Sequence, residues 1–491
     1  MAAEDLSTRA RRTIEEFGTF AELSGNRLDE YKTFIVHLEQ ECLRGKPTPH
    51  LVEGLIKIHQ TLTRFGDCYS AYKLTKRFME HWRKRLHDDH WFQIAHLLAV
   101  TATNLGFLPE GEHLLQTTLQ ASRNREIPHV AMHQIFLDLG RIHQLQSEYH
   151  IAVQRFQDAL HILDNTNQDD EVHILRVHSM IGISECMNAL QEHQRALDVL
   201  STILNIPLSR ELLSRAYGIM VESLVSLNRW EKARSILYHQ EPLDPEGFLP
   251  HRLTFHRMMG EQSDVLSTVR DYFKRPSSRC DLEEQRILRE FLRSIRESMG
   301  SKEPIQFFRE NELGRRSLVV LEHLVDRKDF YNQTGHGRRT RHLTERVSQH
   351  MGMNPGDDLV VAATLHDLGK VMLPFSLLNR IQELDLEDRE LLENHAILGH
   401  EILSELNLQS AATFVLHHHE RYDGLGYPYA LKNVPSNENL LFLCSSYDAM
   451  IQPGPMRKGH LTRDHAIMHI KDQSGKAYHP ELVSTFLTAI Q

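Results

Sequence analysis

The chain has 491 residues, too many for one hydrophobic core, so two or more domains are expected. Hydrophobic residues make up 41% and charged residues 25%, with only 17 prolines and 25 glycines, which argues for mostly helical globular structure over disorder or a β-rich fold. A formal charge of −10 gives no reason to expect general binding to DNA or to an anionic membrane, although a local positive site for a small anion is compatible with it.

The five cysteines, Cys42, Cys68, Cys186, Cys280 and Cys444, form no CxxC pair and read as scattered thiols of a reducing compartment. Glu4, Asp5, Arg9, Arg11 and Arg12 stand where a signal peptide would be apolar. No apolar run approaches the roughly 20 residues that span a bilayer, so a cytoplasmic protein without a membrane partner is expected. With 33 histidines in the chain, a chemical role is assigned only to those in a spaced constellation.

Residues 1–275 read as helical repeats. The clearest unit, from about His133 to Asp164, carries Leu139-Gly140, Tyr149, Ala152, Phe156 and Ala159-Leu160. Two helices would bring Gly140, Ala152 and Ala159 to where backbones meet, with Tyr149 and Phe156 filling the space beside them. Partial copies are Gly66, Cys68 and Ala71; Gly106, Leu108, Gly111 and Leu115; Leu190, His193, Ala196 and Leu200; and Asn228, Trp230, Ala233 and Leu237. This pattern resembles the tetratricopeptide repeat, with spacings between the small residues of 40, 41, 44 and 37, each longer than that family's 34. Such stacks present a concave face to a protein partner, here unidentified.

A break falls at Arg275-Pro276-Ser277-Ser278. Asp281 can then cap a helix with Ile287, Leu288, Phe291, Leu292 and Ile295 on one face, ended by Gly300. Residues 276–316 therefore read as a helical connector, with a role as the repeats' C-terminal cap preferred over a signalling rod. A second helix, around Ser317 to Val325, leads into the final domain at 317–491.

That domain supplies metal-type ligands in order: His336, His366-Asp367, His395 and His418-His419. The stretch Thr364-Leu365-His366-Asp367-Leu368-Gly369-Lys370 closes an apolar helix, and His395-Ala396-Ile397-Leu398-Gly399 begins another. His418-His419-Glu420-Arg421-Tyr422-Asp423-Gly424-Leu425-Gly426-Tyr427-Pro428 runs from a helix end into a glycine-rich loop. Imidazoles with a carboxylate able to bridge make a mixed nitrogen and oxygen site, suited to manganese, iron or zinc more than to magnesium or calcium. A pair of such ions can activate water and polarise a phosphoryl group. Lys370, one turn beyond Asp367, could set a positive charge on a phosphate oxygen.

Residues 317–491 resemble the HD-GYP domain, a subgroup of the HD superfamily associated with cyclic di-GMP hydrolysis. Thr334-Gly335-His336, the HDLGK stretch, His395 to Gly399, HHERYDGLGYP, Tyr447-Asp448-Ala449-Met450 and His479-Pro480-Glu481-Leu482-Val483 carry the match. The resemblance implies an all-α domain, so the whole chain is expected to be an all-α tetratricopeptide-like solenoid followed by an HD-GYP domain. It implies His336, His366, Asp367, His395, His418 and His419 as ligands of two transition-metal ions, iron or manganese, with Asp367 as bridge and catalytic group. Lys370, Tyr427 and Arg457 would face a cyclic dinucleotide, with Lys370 also acting in catalysis. Asp423 and Gly424 would shape the loop, and His417 has no counterpart role.

Two positions depart from the family. Ser445 stands where it has an aspartate ligand, which weakens the metal position held by His336, His366 and Asp367. Asp448, the family's own second aspartate, reads as a helix brace and not as a substitute ligand. Gly454 and Met456 replace an arginine and a tyrosine expected at the substrate, leaving Arg457 and Lys458. The reading is a metal-dependent cyclic-dinucleotide phosphodiesterase controlled through its repeats. The alternative is a degenerate domain that binds a nucleotide, a metal or a partner without turnover. A homo-oligomer is compatible with either.

Overall fold

The computed structural model describes residues 6–17, 25–44, 46–86, 88–122, 128–165, 170–245, 247–273, 281–329, 335–379, 384–432, 434–452 and 461–491. Among them there are helices and turns, with no strand and no helix long and apolar enough to cross a membrane. The break at Arg275-Pro276-Ser277-Ser278, Cys280, Thr334, and the segment holding Gly454, Met456, Arg457 and Lys458 lie outside the described residues. The chain divides into two compact units, the first mainly Thr33–Thr268 and the second mainly Glu283–Gln491.

Helices α1 (Leu6–Phe17) and α2 (Gly25–Leu43) come first. Six helix pairs follow: α3 (Pro49–Phe65) and α4 (Cys68–Trp82), α5 (Asp88–Asn104) and α6 (Leu108–Ser122), α7 (His129–Leu145) and α8 (Tyr149–Ile162), α9 (Asp170–Ala189) and α10 (His193–Ile203), α11 (Arg210–Ser226) and α12 (Trp230–Gln240), and α13 (Leu249–Met258) and α14 (Gln262–Phe273). Each first helix closes on the same turn. Gly66, Gly106, Ser147, Gln191, Asn228 and Gly260 all have positive φ. The following residue's N–H then reaches back across the helix end, from Asp67 to the Leu62 carbonyl, Phe107 to Ala102, Glu148 to His143, Glu192 to Met187, Arg229 to Leu224 and Glu261 to His256. This Schellman pairing satisfies carbonyls that the helix end leaves free.

The small residues Ala71, Gly111, Ala152, Ala196 and Ala233 fall in the first turn of each second helix, their N–H groups bonded to the carbonyls of Asp67, Phe107, Glu148, Glu192 and Arg229. Gly260 extends the series one unit beyond the sequence reading, with Val265 in the small-residue position. Successive first helices also pack on one another, α5 on α7, α7 on α9, α9 on α11 and α11 on α13, which makes the unit a tetratricopeptide-like stack. Gly140 on α7 and Gly182 on α9 both face the ring of Phe156. A Cβ on either would come within 2.6 Å of a ring carbon. Many of the histidines link neighbouring repeat helices. The two ring nitrogens of His59 each lie 2.7 Å from a hydroxyl, of Thr75 and of Thr101, and His96 meets Asp138 at 2.8 Å.

In the second unit, α15 (Asp281–Met299) buries the expected stripe of Ile287, Leu288, Phe291, Leu292 and Ile295. Residues from 283 onwards, read from sequence as part of a connector, group with this C-terminal unit. Lys328 Nζ lies 2.6 Å from Glu284 Oε2, and the Gln285 amide donates to the Met372 carbonyl at 3.0 Å. After α16 (Pro304–Glu310) comes α17 (Glu312–Lys328), longer than the expected Ser317 to Val325. Its start is set by Asn311, whose side chain accepts from the Leu313 and Gly314 N–H groups. The remaining elements are α18 (His336–His350), α19 (Asp357–Leu365), a 3-10 turn Leu368–Met372, α20 (Phe375–Leu378), α21 (Leu386–Glu393), α22 (His395–Glu405), α23 (Gln409–His417), α24 (Ser436–Ile451), α25 (Arg463–Asp472) and α26 (Pro480–Ala489). Helices α18, α24, α25 and α26 enclose a core of Val347, Leu443, Tyr447, Ile470 and Phe486.

Candidate metal centre

Helix ends converge on one buried point. His336 opens α18, His366 follows α19, His395 opens α22 and His418 follows α23. The last carbonyls of a helix have no intrahelical donor, and three of these rings use one. His366 Nδ1 lies 3.0 Å from the Ala363 carbonyl, His395 Nδ1 2.7 Å from Leu392 and His418 Nδ1 2.5 Å from Val415. Against a carbonyl, Nδ1 must carry the proton, so each Nε2 keeps a free lone pair. His336 Nδ1 is held differently, 2.7 Å from Asp448 Oδ2. Arg339 in turn secures that carboxylate, Nε 2.8 Å from Oδ1 and a terminal nitrogen 3.0 Å from Oδ2.

The Nε2 atoms then meet in pairs. His336 and His366 bring theirs to 3.2 Å, and His395 and His418 to 3.3 Å. Two unprotonated nitrogens cannot hydrogen-bond to each other, so the His395 and His418 pair, whose Nδ1 protons both go to carbonyls, calls for a cation between or beside the two rings. Asp367 stands between the pairs and turns one oxygen to each. Oδ2 is 3.6 Å from His366 Nε2 and 3.9 Å from His336 Nε2, while Oδ1 is 3.5 Å from His395 Nε2 and 4.0 Å from His418 Nε2. His419 joins the second set, whose ligand atoms all lie within 4.8 Å of one another. The donors fit two metal ions sharing one carboxylate.

The electrostatics agree with that donor set. Burial pushes His366 down to about 4 and His395 and His418 down to about 3, keeping the rings neutral. Burial works to raise Asp367, but Lys370 and the surrounding histidines hold its carboxyl well below its ordinary value. Close backbone packing brings the pieces together. A Cβ on Gly369 would sit 1.9 Å from the His395 carbonyl oxygen, so only glycine lets the turn carrying Asp367 and Lys370 lie against α22.

Sequence reasoning placed His336, His366, Asp367, His395, His418 and His419 in one site, and the structure brings all six together. Lys370, expected to face a substrate, lies beside the cluster. Its ammonium lies 2.7 Å from Asp329 and 2.9 Å from Asp367, so two carboxylates match its charge. Asp329 was missed, having no motif of its own. Tyr427 stacks on His419 at 4.5 Å between ring centroids. Asp423 bonds Arg421 and the Leu425 N–H, which organises the glycine-rich loop, and His417 lies away from the cluster, beside Tyr429. Glu420, fully buried, was also missed. It accepts from the Tyr429 and Leu431 N–H groups and so pins the far side of that loop. Ser445 stands beside the first histidine pair, its Oγ 3.2 Å from His366 Nε2 and 3.4 Å from His336 Nε2.

Residues 319–482 match the model of the HD domain family. The chain is 35% identical over 177 residues to a protein of Thermotoga maritima named "Cyclic di-GMP phosphodiesterase", a match covering 35% of this chain and 48% of that one. It is 28% identical over 210 residues to the "Cyclic di-GMP phosphodiesterase response regulator RpfG" of Xanthomonas campestris pv. campestris, covering 41% of this chain and 55% of that one. The chain thus spans about half the length of the curated relatives it matches. Among solved structures, BtubC from P. vanneervenii aligns with 49% of this chain and 91% of its own, at 14% identity and a TM-score of 0.35.

Proposed function

We propose, from the match of residues 319–482 to the HD domain family model, that this unit is a metal-dependent phosphodiesterase that opens a cyclic dinucleotide such as cyclic di-GMP. The observation that carries the reading is Asp367, with one oxygen toward each histidine pair. The names of the relatives supply the substrate class. Two ions, iron or manganese, held by the six residues would supply activated water and charge stabilisation for phosphoester hydrolysis. The chain's own part is to keep the Nε2 atoms of His366, His395 and His418 unprotonated, hold Asp367 ionised beside Lys370, and wall one side of the site with Tyr427 stacked on His419. Arg457 would meet a phosphate. The repeats, residues 1–275, would hold a protein partner that controls the C-terminal unit, and the whole would work in the cytoplasm.

The test is metal analysis of protein purified without chelator from manganese- and iron-supplemented cells, together with a cyclic di-GMP hydrolysis assay. Two ions per chain and a linear or mononucleotide product are expected, with both lost in Asp367→Ala. Metal-free protein with intact helical content overturns the reading. One specific observation favours a second reading, a binding or regulatory domain without turnover. Ser445 puts a neutral hydroxyl at the His336 position. Tight cyclic di-GMP binding with no product would select it.

A further inference from the structure

Resting on the metal-centre reading, the geometry points to Asp448 as a positioning residue that supplies through His336 the negative charge Ser445 does not supply directly. Of the four metal-centre histidines with a described Nδ1 contact, three, His366, His395 and His418, give Nδ1–H to a neutral backbone carbonyl. His336 alone gives it to a carboxylate. That exception falls in the corner lined by the neutral hydroxyl of Ser445, 3.4 Å from His336 Nε2 and 3.2 Å from His366 Nε2. The two features share one helix, with Ser445 and Asp448 one turn apart on α24.

A carboxylate behind an imidazole fixes the ring's orientation and makes its far nitrogen a better donor. Asp448 is built for that role. It is 2% exposed, and Arg339 from the first turns of α18 grips both of its oxygens, so the carboxylate cannot swing away. Arg339 and His336 lie on the same helix, so one carboxylate on α24 holds both ends of that turn of α18. Asp448 touches no ligand position itself and acts through His336.

The experiment is Mn(II) titration of metal-stripped full-length protein, with helical content followed by circular dichroism. His336→Ala and His395→Ala assign the two binding steps to their corners. In Asp448→Asn, which keeps shape and removes charge, the His336-corner step weakens about 10–100-fold while the His395-corner step is unchanged. Asp448→Asn added to His336→Ala changes nothing further, because its effect passes through that ring. Ser445→Asp added to Asp448→Asn restores the weakened step by putting the charge in the corner directly. A merely structural role predicts loss at both corners, additivity with His336→Ala and no rescue, and any of these overturns the inference. So does a wild type with a single step assigned to the His395 corner, or an unchanged His336 step in Asp448→Asn. Should Asp448→Asn lose its helical content, Arg339→Gln takes its place. A weaker His336 step is then expected, and an unchanged one overturns the inference. A wild type that takes up no metal removes the underlying metal-centre reading instead, which separates the two failures.

Discussion

The ammonium of Lys370 lies 2.9 Å from Oδ2 of Asp367, the carboxylate shared by both histidine pairs. With Asp329 at 2.7 Å on its other side, it is the buried counter-charge of the site. Burial opposes its charge, yet the two carboxylates raise its pKa above the ordinary lysine value. Replacing it by methionine removes the ammonium that Asp329 and Asp367 share. Lys370→Met is expected to lose about 3–5 kcal/mol of stability in metal-free protein, the usual cost of breaking a buried pair from one side. Lys370→Met with Asp329→Asn should recover part of it. Urea unfolding with and without Mn(II) reads both, and an unchanged midpoint in Lys370→Met would sink the counter-charge role.

Ser445→Asp places a carboxylate beside His366 and His336, within reach of the first metal position. Metal affinity at that corner should rise about 10–100-fold. Without metal the new charge faces Asp367, so the metal-free variant should melt lower than wild type. Metal should therefore raise the variant's melting temperature by more than it raises that of wild type. Hydrolysis of cyclic di-GMP, if limited at this corner, should rise in the same variant. Equal thermal shifts in the two proteins would show that the hydroxyl is no handicap.

Phe156 between Gly140 and Gly182 makes the central repeat sensitive to a single methyl group. Gly140→Ala should destabilise the protein by about 1–3 kcal/mol through overpacking. Phe156→Leu in the same chain should relieve part of that cost, since the smaller side chain leaves room for the added Cβ. The coupling is measured by a double-mutant cycle in urea, and simple additivity would show that the contact is not the cause.

His59 offers a pH test far from any metal ligand. Burial pushes its pKa down to about 4 from 6.5, and its ring links two threonine hydroxyls. The unfolded chain binds a proton below pH 6.5 that the folded ring refuses until about pH 4. The stabilising contribution is therefore complete above 6.5 and declines as pH falls toward 4. Stability over that window should drop by about 3 kcal/mol on account of this residue. His59→Gln, which can still bridge the hydroxyls, should show a correspondingly shallower pH dependence than wild type. Parallel pH profiles for the two proteins would exclude His59 as the origin.

Local order was legible in the residues because its causes are local. The small residues from Ala71 to Ala233 marked where each second helix begins, since a Schellman turn and the helix after it need only a few consecutive residues. The same holds for His366 and His418 at helix ends, whose rings bond a carbonyl in their own last turn. The sixth repeat turn at Gly260 escaped notice because Val265 replaces the expected small residue. Other features depended on packing between distant segments. Whether Asp367 would turn one oxygen to each pair, and whether Lys370 would meet Asp329 from 41 residues away, depends on how α17, the 3-10 turn and α22 lie together. His336 and Asp448 are 112 residues apart, and no pattern along the chain pairs them. Only the packing of α18 against α24 brings that carboxylate behind that imidazole, because a charge pair forms where folded backbones place it and not where sequence spacing does.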